Sequence, residues 1–166
     1  MPVHWLFRFE TAAATAAWRA IDDRVMGGVS CSRLRHDPAG HAVFEGEVSL
    51  AQNGGFASVR SEAGPLGMRG AVDCVIDVRG EGRHFKLSVF TDDAFDAPSY
   101  QAEFTPRANE WHAIRLPLQS FRATFRGREV PGSPPIDPAR VRQIGLMIAG
   151  RQAGTFVLAL RSIQLE

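Results

Sequence analysis

The chain has 166 residues, of which 45% are hydrophobic and 22% are charged, a composition typical of globular domains. This length predicts a single domain over residues 1–166, with a core large enough to need neither a metal nor a disulfide. No stretch reaches the ~18 consecutive apolar residues of a membrane helix, and the N-terminus lacks a signal-peptide pattern. We therefore expect a cytoplasmic protein without direct membrane insertion.

The charges are balanced, with 19 basic and 18 acidic residues and a net charge of +1. A nucleic-acid-binding domain of this size would show a large basic surplus, so the sequence argues against nucleic acid as a partner. Lys86 is the only lysine, and the other cations are arginines, whose planar guanidinium groups suit carboxylates and phosphates.

Cys31 and Cys74 lie far apart in strand-like segments. We expect both to be small buried thiols without a disulfide. The histidines are scattered, and none has a second ligand at metal-binding spacing. The sequence therefore predicts no metal and no cofactor.

The predicted elements are short strands separated by frequent glycine and proline. A first strand carries Trp5, Phe7 and Phe9 on one face. Five later segments alternate apolar and polar residues, which predicts antiparallel strands with one solvated face; they lie at 41–50, 72–78, 85–89, 100–104 and 114–118.

The C-terminal part predicts two more strands. Residues 144–149 are apolar on both faces, so we expect a central strand covered on both sides. Residues 155–165 form the last strand, and the short separation predicts a hairpin between the two. Helical signals are limited to single turns, one of them with Asp137 as N-cap and Pro138 at the first position. Nine or ten strands at this spacing predict an all-β sandwich.

The most distinctive segment, residues 18–32, reads WRAIDDRVMGGVSCS. Its Gly27-Gly28 pair permits positive φ angles or a close approach of another chain segment. One interpretation is a tight turn leading into a strand. The other is a binding loop in which Asp22, Met26 and the glycine pair shape a pocket. No Gly-Lys-Ser/Thr sequence follows, so a phosphate loop is excluded.

A second segment, residues 52–61, reads QNGGFASVRS. Asn53-Gly54 predicts a hairpin turn. Phe56 and Arg60 then fall on one side of a strand. Arg60 is either a ligand contact or a structural partner of Asp22 or Glu47.

A third segment, residues 121–130, places Arg122 and Arg126 beside Phe121 and Phe125. Arginines interleaved with aromatic rings can stack on bases. Because the net charge argues against nucleic acid, a rim of arginines around a protein partner is the competing interpretation.

Carboxylates give only weak signs of catalysis. Asp92, Asp93 and Asp96 lack the spacing of a calcium loop and fit a solvated turn. A structural calcium ion in a loop is the remaining alternative. Glu45 and Glu47 share a strand face, as a hydrolase or lyase pair would. Nucleophile-elbow, zinc-protease and dinucleotide motifs are absent from the sequence, so we expect no enzymatic activity.

Residues 18–30 and 53–60 together resemble the signature of the complex I intermediate-associated protein 30 family. The agreement continues through Phe44-Glu45-Gly46, residues 100–104, Trp111 and Ile144-Gly145-Leu146, and covers roughly residues 5–165. The resemblance implies a galactose-binding-like β-sandwich of the jelly-roll type.

The better-understood eukaryotic members of that family are non-catalytic assembly chaperones for NADH:ubiquinone oxidoreductase. The resemblance therefore implies a non-enzymatic module that holds a protein client. A carbohydrate-binding module is the first alternative, and a jelly-roll hydrolase or lyase is the second. The candidate binding residues are Asp22, Met26, Gly27, Gly28, Phe56, Arg60, Arg122 and Arg126.

Overall fold

The computed structural model describes residues 3–22, 28–91 and 98–166. In these ranges the chain forms β-strands joined by turns and short 3-10 segments, as the alternating sequence predicts. No helix within them is long and apolar enough to cross a membrane. The strands are β1 (His4–Arg8), β2 (Arg19–Ala20), β3 (Cys31–Asp37), β4 (His41–Val48), β5 (Ala57–Arg60), β6 (Asp73–Arg79), β7 (Phe85–Phe90), β8 (Ser99–Phe104), β9 (His112–Pro117), β10 (Arg122–Phe125), β11 (Arg128–Glu129), β12 (Gln143–Ile148) and β13 (Gly154–Leu165).

The strands form two antiparallel sheets. The six-stranded sheet has the order β3-β4-β13-β6-β9, with β1 also paired to β13. The seven-stranded sheet has the order β11-β10-β8-β7-β12-β5-β2. This arrangement confirms the all-β sandwich.

The hydrophobic core lies between the two sheets. Phe44 of β4 and Phe156 of β13 come from the six-stranded sheet, and Phe85 of β7 comes from the other. The ring of Phe85 lies 6.1 Å from Phe44 and 6.3 Å from Phe156, centroid to centroid. All three rings are almost fully buried, and each contributes roughly 2–3 kcal/mol by leaving water. This aromatic cluster holds the sheets face to face.

Gly46 of β4 is required by a close approach of the neighbouring edge strand. A Cβ at this position would lie 2.0 Å from the carbonyl oxygen of Cys31 on β3, far inside van der Waals contact. The glycine of the Phe44-Glu45-Gly46 motif therefore allows β3 to pair closely with β4.

Two predicted hairpins are wrong. The segment between β12 and β13 crosses from the seven-stranded to the six-stranded sheet, so these strands do not pair. Asn53-Gly54 lies at the end of a 3-10 turn that likewise connects β4 of one sheet to β5 of the other. In both places the sequence predicts a turn correctly. The strand that follows the turn enters the opposite sheet, because its apolar side chains pack into the core between the sheets.

Two predictions about burial are also wrong. Cys31 is exposed, whereas Cys74 is buried as expected, because Cys31 lies on the outward side of the edge strand β3. In β1 an irregularity in the register falls between Trp5 and Phe7. This shift buries Leu6 and leaves Trp5 46% exposed, so Trp5 does not share the core face with Phe9.

The predicted helical turn is present. Asp137 is the N-cap of a 3-10 turn over Pro138–Arg140, and its side chain accepts a hydrogen bond from the backbone N–H of Ala139.

Candidate functional site

The face of the seven-stranded sheet that points away from the core is largely polar. Side chains alternate between the two faces of a strand, and the inward positions of β5, β7, β8 and β12 belong to the core. The outward positions form what we call the polar face, which includes Arg19, Arg60, Lys86, Ser88, Phe90, Gln101, Glu103, Arg122, Gln143, Gly145 and Met147.

Arg60 and Arg122 stand in one cross-strand row of the polar face. Arg60 is paired with Gly145, and Gly145 with Ser88. Ser88 is in turn paired with Gln101, and Gln101 with Arg122. Because four inter-strand steps of ~4.8 Å separate them, the two arginines are about 19 Å apart across the sheet.

The middle of this row is recessed. A Cβ on Gly145 would lie 3.4 Å from both the Phe90 ring and the Ser88 Cβ, so this position has little room for a side chain. Ser88 is only 4% exposed, and its hydroxyl accepts a hydrogen bond of 3.3 Å from the Gln101 amide. The row therefore has a low floor between longer polar side chains.

Arg60 borders this floor through an aromatic contact. Its guanidinium carbon lies 4.5 Å from the centroid of the Phe90 ring, within the range of a cation–π interaction. Burial lowers the pKa of Arg60, although a guanidinium stays charged at neutral pH. Neither Asp22 nor Glu47 pairs with Arg60, so the structural partner that the sequence suggested is replaced by Phe90.

Asp22 lies apart from the polar face and joins the edges of the two sheets. Its carboxylate accepts hydrogen bonds from the Ser32 hydroxyl at 2.5 Å and the Ser32 N–H at 3.1 Å. It also accepts one from the N–H of Ser58 at 3.0 Å. Ser32 belongs to β3 of the six-stranded sheet and Ser58 to β5 of the other. These contacts make Asp22 a structural cross-link.

The other end of the first motif is also engaged inside the fold. The hydroxyl of Ser30 accepts a hydrogen bond of 2.9 Å from the N–H of Ser49 and donates one to the carbonyl of the same residue. Gly28 is buried. Met26 and Gly27 lie outside the described residues, so their place in a binding loop stays a prediction.

Arg122 and Arg126 lie on the β10–β11 hairpin. Arg122 is exposed and forms an ion pair of 3.6 Å with Glu129. Arg126 and Gly127 form its two-residue turn with φ angles of 51° and 79°, the left-handed conformation that tight hairpins favour. The guanidinium of Arg126 lies over its neighbour Phe125 at 5.2 Å.

The structure thus places two of the eight sequence candidates, Arg60 and Arg122, on one face. Phe56 is half-buried and directly precedes β5. Sequence reasoning missed Ser88, Phe90, Gln101 and Gln143 as members of the same surface. The outward positions of Ser88 and Gln101 in alternating strands were visible, whereas Phe90 and Gln143 lay just outside the predicted strands. The strand order that makes the four residues neighbours was not visible.

Glu45, one member of the carboxylate pair suggested for catalysis, is engaged by two arginines. Glu45 forms ion pairs of 2.6 Å with Arg33 and 3.1 Å with Arg35. Burial disfavours its ionised form, but these two guanidinium groups outweigh burial and lower the pKa of Glu45. A general acid would need a raised pKa.

Asp92, Asp93 and Asp96 of the acidic loop lie outside the described residues. Among residues 3–22, 28–91 and 98–166, no three His, Cys, Asp or Glu side chains converge as a metal site would require.

Carbohydrate-binding modules are among the solved structures with the same architecture. A family 11 carbohydrate-binding module from Clostridium thermocellum, in complex with a β-1,3-1,4-mixed-linked tetrasaccharide, superposes with a TM-score of 0.70. The match covers 98% of this chain and 94% of the module at 18% sequence identity. This likeness shows a shared jelly-roll fold.

The sequence relatives have different names from these structural relatives. An uncharacterized protein of Schizosaccharomyces pombe is 29% identical over 168 residues, covering 89% of this chain and 76% of that protein. Complex I intermediate-associated protein 30, mitochondrial, of Drosophila melanogaster is 22% identical over 183 residues. That match covers 97% of this chain and 62% of the fly protein, so the chain spans less than two thirds of that relative.

The model of the family described as complex I intermediate-associated protein 30 matches residues 7–160. The match includes both glycine-containing motifs, the Asp22 cross-link and the inner strands of the polar face. It extends over nearly the whole sandwich, from β1 into β13. The chain belongs to the complex I intermediate-associated protein 30 family.

Proposed function

We propose that this protein is a non-catalytic binding module that holds a polypeptide client against the polar face. The observation that carries the proposal is the row from Arg60 to Arg122, with its recessed floor at Gly145 and Ser88. A surface of this kind offers hydrogen-bond donors and acceptors around two small residues, and protein interfaces have such polar groups at their rims.

The length and chemistry of the row suit an extended peptide. A span of about 19 Å matches about six residues of extended backbone at ~3.3 Å each. Gln101 and Gln143 carry amide groups that both donate and accept. A peptide backbone has the same donors and acceptors at regular spacing, so the two can be matched without a fixed client sequence.

Family membership supports a protein client. The Drosophila relative is named as a complex I intermediate-associated protein, and an assembly intermediate of a respiratory complex is therefore the proposed client of this chain. A cytoplasmic location stays a prediction, because the fly relative carries a mitochondrial name.

Carbohydrate is the second candidate, since the fold is shared with carbohydrate-binding modules and the polar face offers amide and hydroxyl groups. Sugar sites usually add an exposed aromatic platform. Among the described residues of the polar face the one aromatic ring is Phe90, and the Arg60 guanidinium lies over it. This arrangement favours the polypeptide. A hydrolase or lyase is disfavoured by the Glu45 ion pairs.

A paired-variant capture experiment tests the proposal. The tagged protein and an Arg60→Gln/Arg122→Gln variant are used to recover clients from extracts of the native host. We expect the variant to lose roughly tenfold or more of the client, because arginine is enriched among the few residues that supply most of the binding energy of an interface. The matched control is Arg8→Gln/Arg107→Gln, which neutralises two exposed arginines paired with Glu10 and Glu110.

Equal client recovery by both variants would overturn the polar face as the binding surface. A glycan array tests the carbohydrate alternative. Glycan binding that Arg60→Gln/Arg122→Gln abolishes would assign the face to carbohydrate and overturn the polypeptide.

A further inference from the structure

The outward face of the six-stranded sheet carries a second, different cluster around Trp111. The guanidinium carbon of Arg161 lies 4.0 Å from the centroid of the Trp111 ring, and that of Arg79 lies at 5.0 Å. The imidazole of His41 meets the same ring edge-on at 5.2 Å. We call these four residues the Trp111 cluster. It draws on β4, β6, β13 and the residue just before β9.

Arg79 differs from the other arginines of this sheet. The strands of the six-stranded sheet carry six arginines, and five of them have a carboxylate within 4.0 Å. These are Arg8, Arg33, Arg35, Arg115 and Arg161. Arg79 has no carboxylate at that distance within the described ranges, and its guanidinium rests on the Trp111 ring alone. Among the carboxylates of the described residues, Arg161 pairs with that of Asp77 alone, at a distance of 4.0 Å.

The cluster is therefore electropositive and partly preorganised. Arg79, Arg161 and the nearby Arg35 all act electrostatically on His41, opposed by Asp37. Stacking on an indole ring fixes the plane of a guanidinium group while leaving its N–H edge free to donate. Arg161 keeps 52% of its side chain exposed, so this edge is open to a partner.

We propose that the Trp111 cluster binds a carboxylate-rich segment of a protein partner, with Arg79 and Arg161 as the contacts. Charge complementarity argues for this occupant. The other arginines of the sheet have carboxylates of this chain as partners, and a carboxylate of a partner protein would complete the same interaction for Arg79. Arginine and tryptophan together are also the residues most enriched where interfaces gain their affinity. This surface lies on the sheet opposite the polar face and does not depend on the function proposed for that face.

A fluorescein-labelled peptide of alternating aspartate and glutamate is a suitable probe. Its binding to the full chain is followed by fluorescence anisotropy. Loss of one charge-assisted hydrogen-bonding partner should weaken binding roughly tenfold, so we expect that change for Arg79→Gln and for the more exposed Arg161→Gln. Arg79→Lys should recover only part of the affinity, because lysine lacks the planar fork.

The matched control is Arg33→Gln, which removes an arginine from the same sheet whose partner is Glu45. It should bind the peptide like the wild type. Urea unfolding of each variant separates binding from folding. Failure of the wild type to bind, or an equal loss in Arg33→Gln, would overturn the proposal. Displacement of the peptide by an equal concentration of inorganic phosphate would also overturn it, since the site would then take small oxyanions.

Discussion

The carboxylate of Asp22 accepts hydrogen bonds from both the hydroxyl and the backbone N–H of Ser32, although Ser32 lies at the edge of the other sheet. Asp22 follows β2 at the edge of the seven-stranded sheet, and Ser32 lies in β3 at the edge of the six-stranded sheet. One aspartate of the family motif thus closes this side of the sandwich. In this way Asp22 joins the two layers, and a further part in binding stays a prediction.

The first prediction concerns this cross-link. Asp22→Ala should lower the free energy of unfolding by about 3 kcal/mol, because it leaves the partly buried N–H of Ser32 and the buried N–H of Ser58 without this acceptor. Urea denaturation at neutral pH measures the change. Asp137→Ala is the control, since it removes an exposed cap on a single 3-10 turn and should cost about 1 kcal/mol or less. Equal losses in the two variants would contradict the cross-link.

The second prediction concerns Gly46. Gly46→Ala should destabilise the protein by about 2 kcal/mol or more, because the new methyl group forces β3 away from β4. Thermal unfolding followed by circular dichroism gives the comparison. Gly64→Ala is the matched control, since a Cβ there meets nothing within 4 Å. A Gly46→Ala protein as stable as Gly64→Ala would show that the strands pair less closely than described.

The third prediction concerns the thiols. Burial raises the pKa of Cys74 to about 12, so it should not react in the native state, whereas the exposed Cys31 should react readily. An aromatic disulfide reagent at mildly alkaline pH should titrate one thiol per native chain and two per unfolded chain. Cys31→Ser should abolish the native reaction. Rapid labelling of a Cys31→Ser protein would contradict the burial of Cys74.

The fourth prediction concerns pH. Burial lowers the pKa of His41 below its usual value of 6.5, and Arg79, Arg161 and Arg35 lower it further against the opposing effect of Asp37. The unfolded chain therefore binds more protons than the native one as pH falls from 6.5 towards the native pKa, so stability should decline across that interval. Asp37 and Glu45 also have lowered pKa values, but their protonation reduces the free energy of unfolding only at more acidic pH, below 4.5.

Urea unfolding at a series of pH values tests this assignment. His41→Gln should flatten the decline just below pH 6.5 and leave the more acidic decline in place. Persistence of the same slope in His41→Gln would place the titrating group elsewhere.

Sequence patterns predicted the strands well because alternation is local. Ala42, Phe44 and Val48 were expected on one face of a strand, and all three are in the core. The same holds for Phe85, Leu87 and Val89. In such segments the period of two decides which side chains are buried, and no distant information is needed.

The polar face was not predictable in the same way. It depends on β12 lying between β7 and β5, which are separated from it by long stretches of chain. The Asn53-Gly54 pair indicates that the chain turns there, but it does not indicate which sheet the chain enters next. Arg60 and Arg122 were chosen as separate candidates, and only the strand order places them in one row.

Site-specific photo-crosslinking tests the central claim most directly. A photoreactive amino acid replaces Gln101, in the middle of the polar face, or Gln119, an exposed residue beyond β9. After irradiation in the native host, the account predicts a defined crosslinked polypeptide from position 101 and none from position 119. Crosslinks of equal yield from both positions, or none from position 101 while the protein is bound to its client, would contradict it.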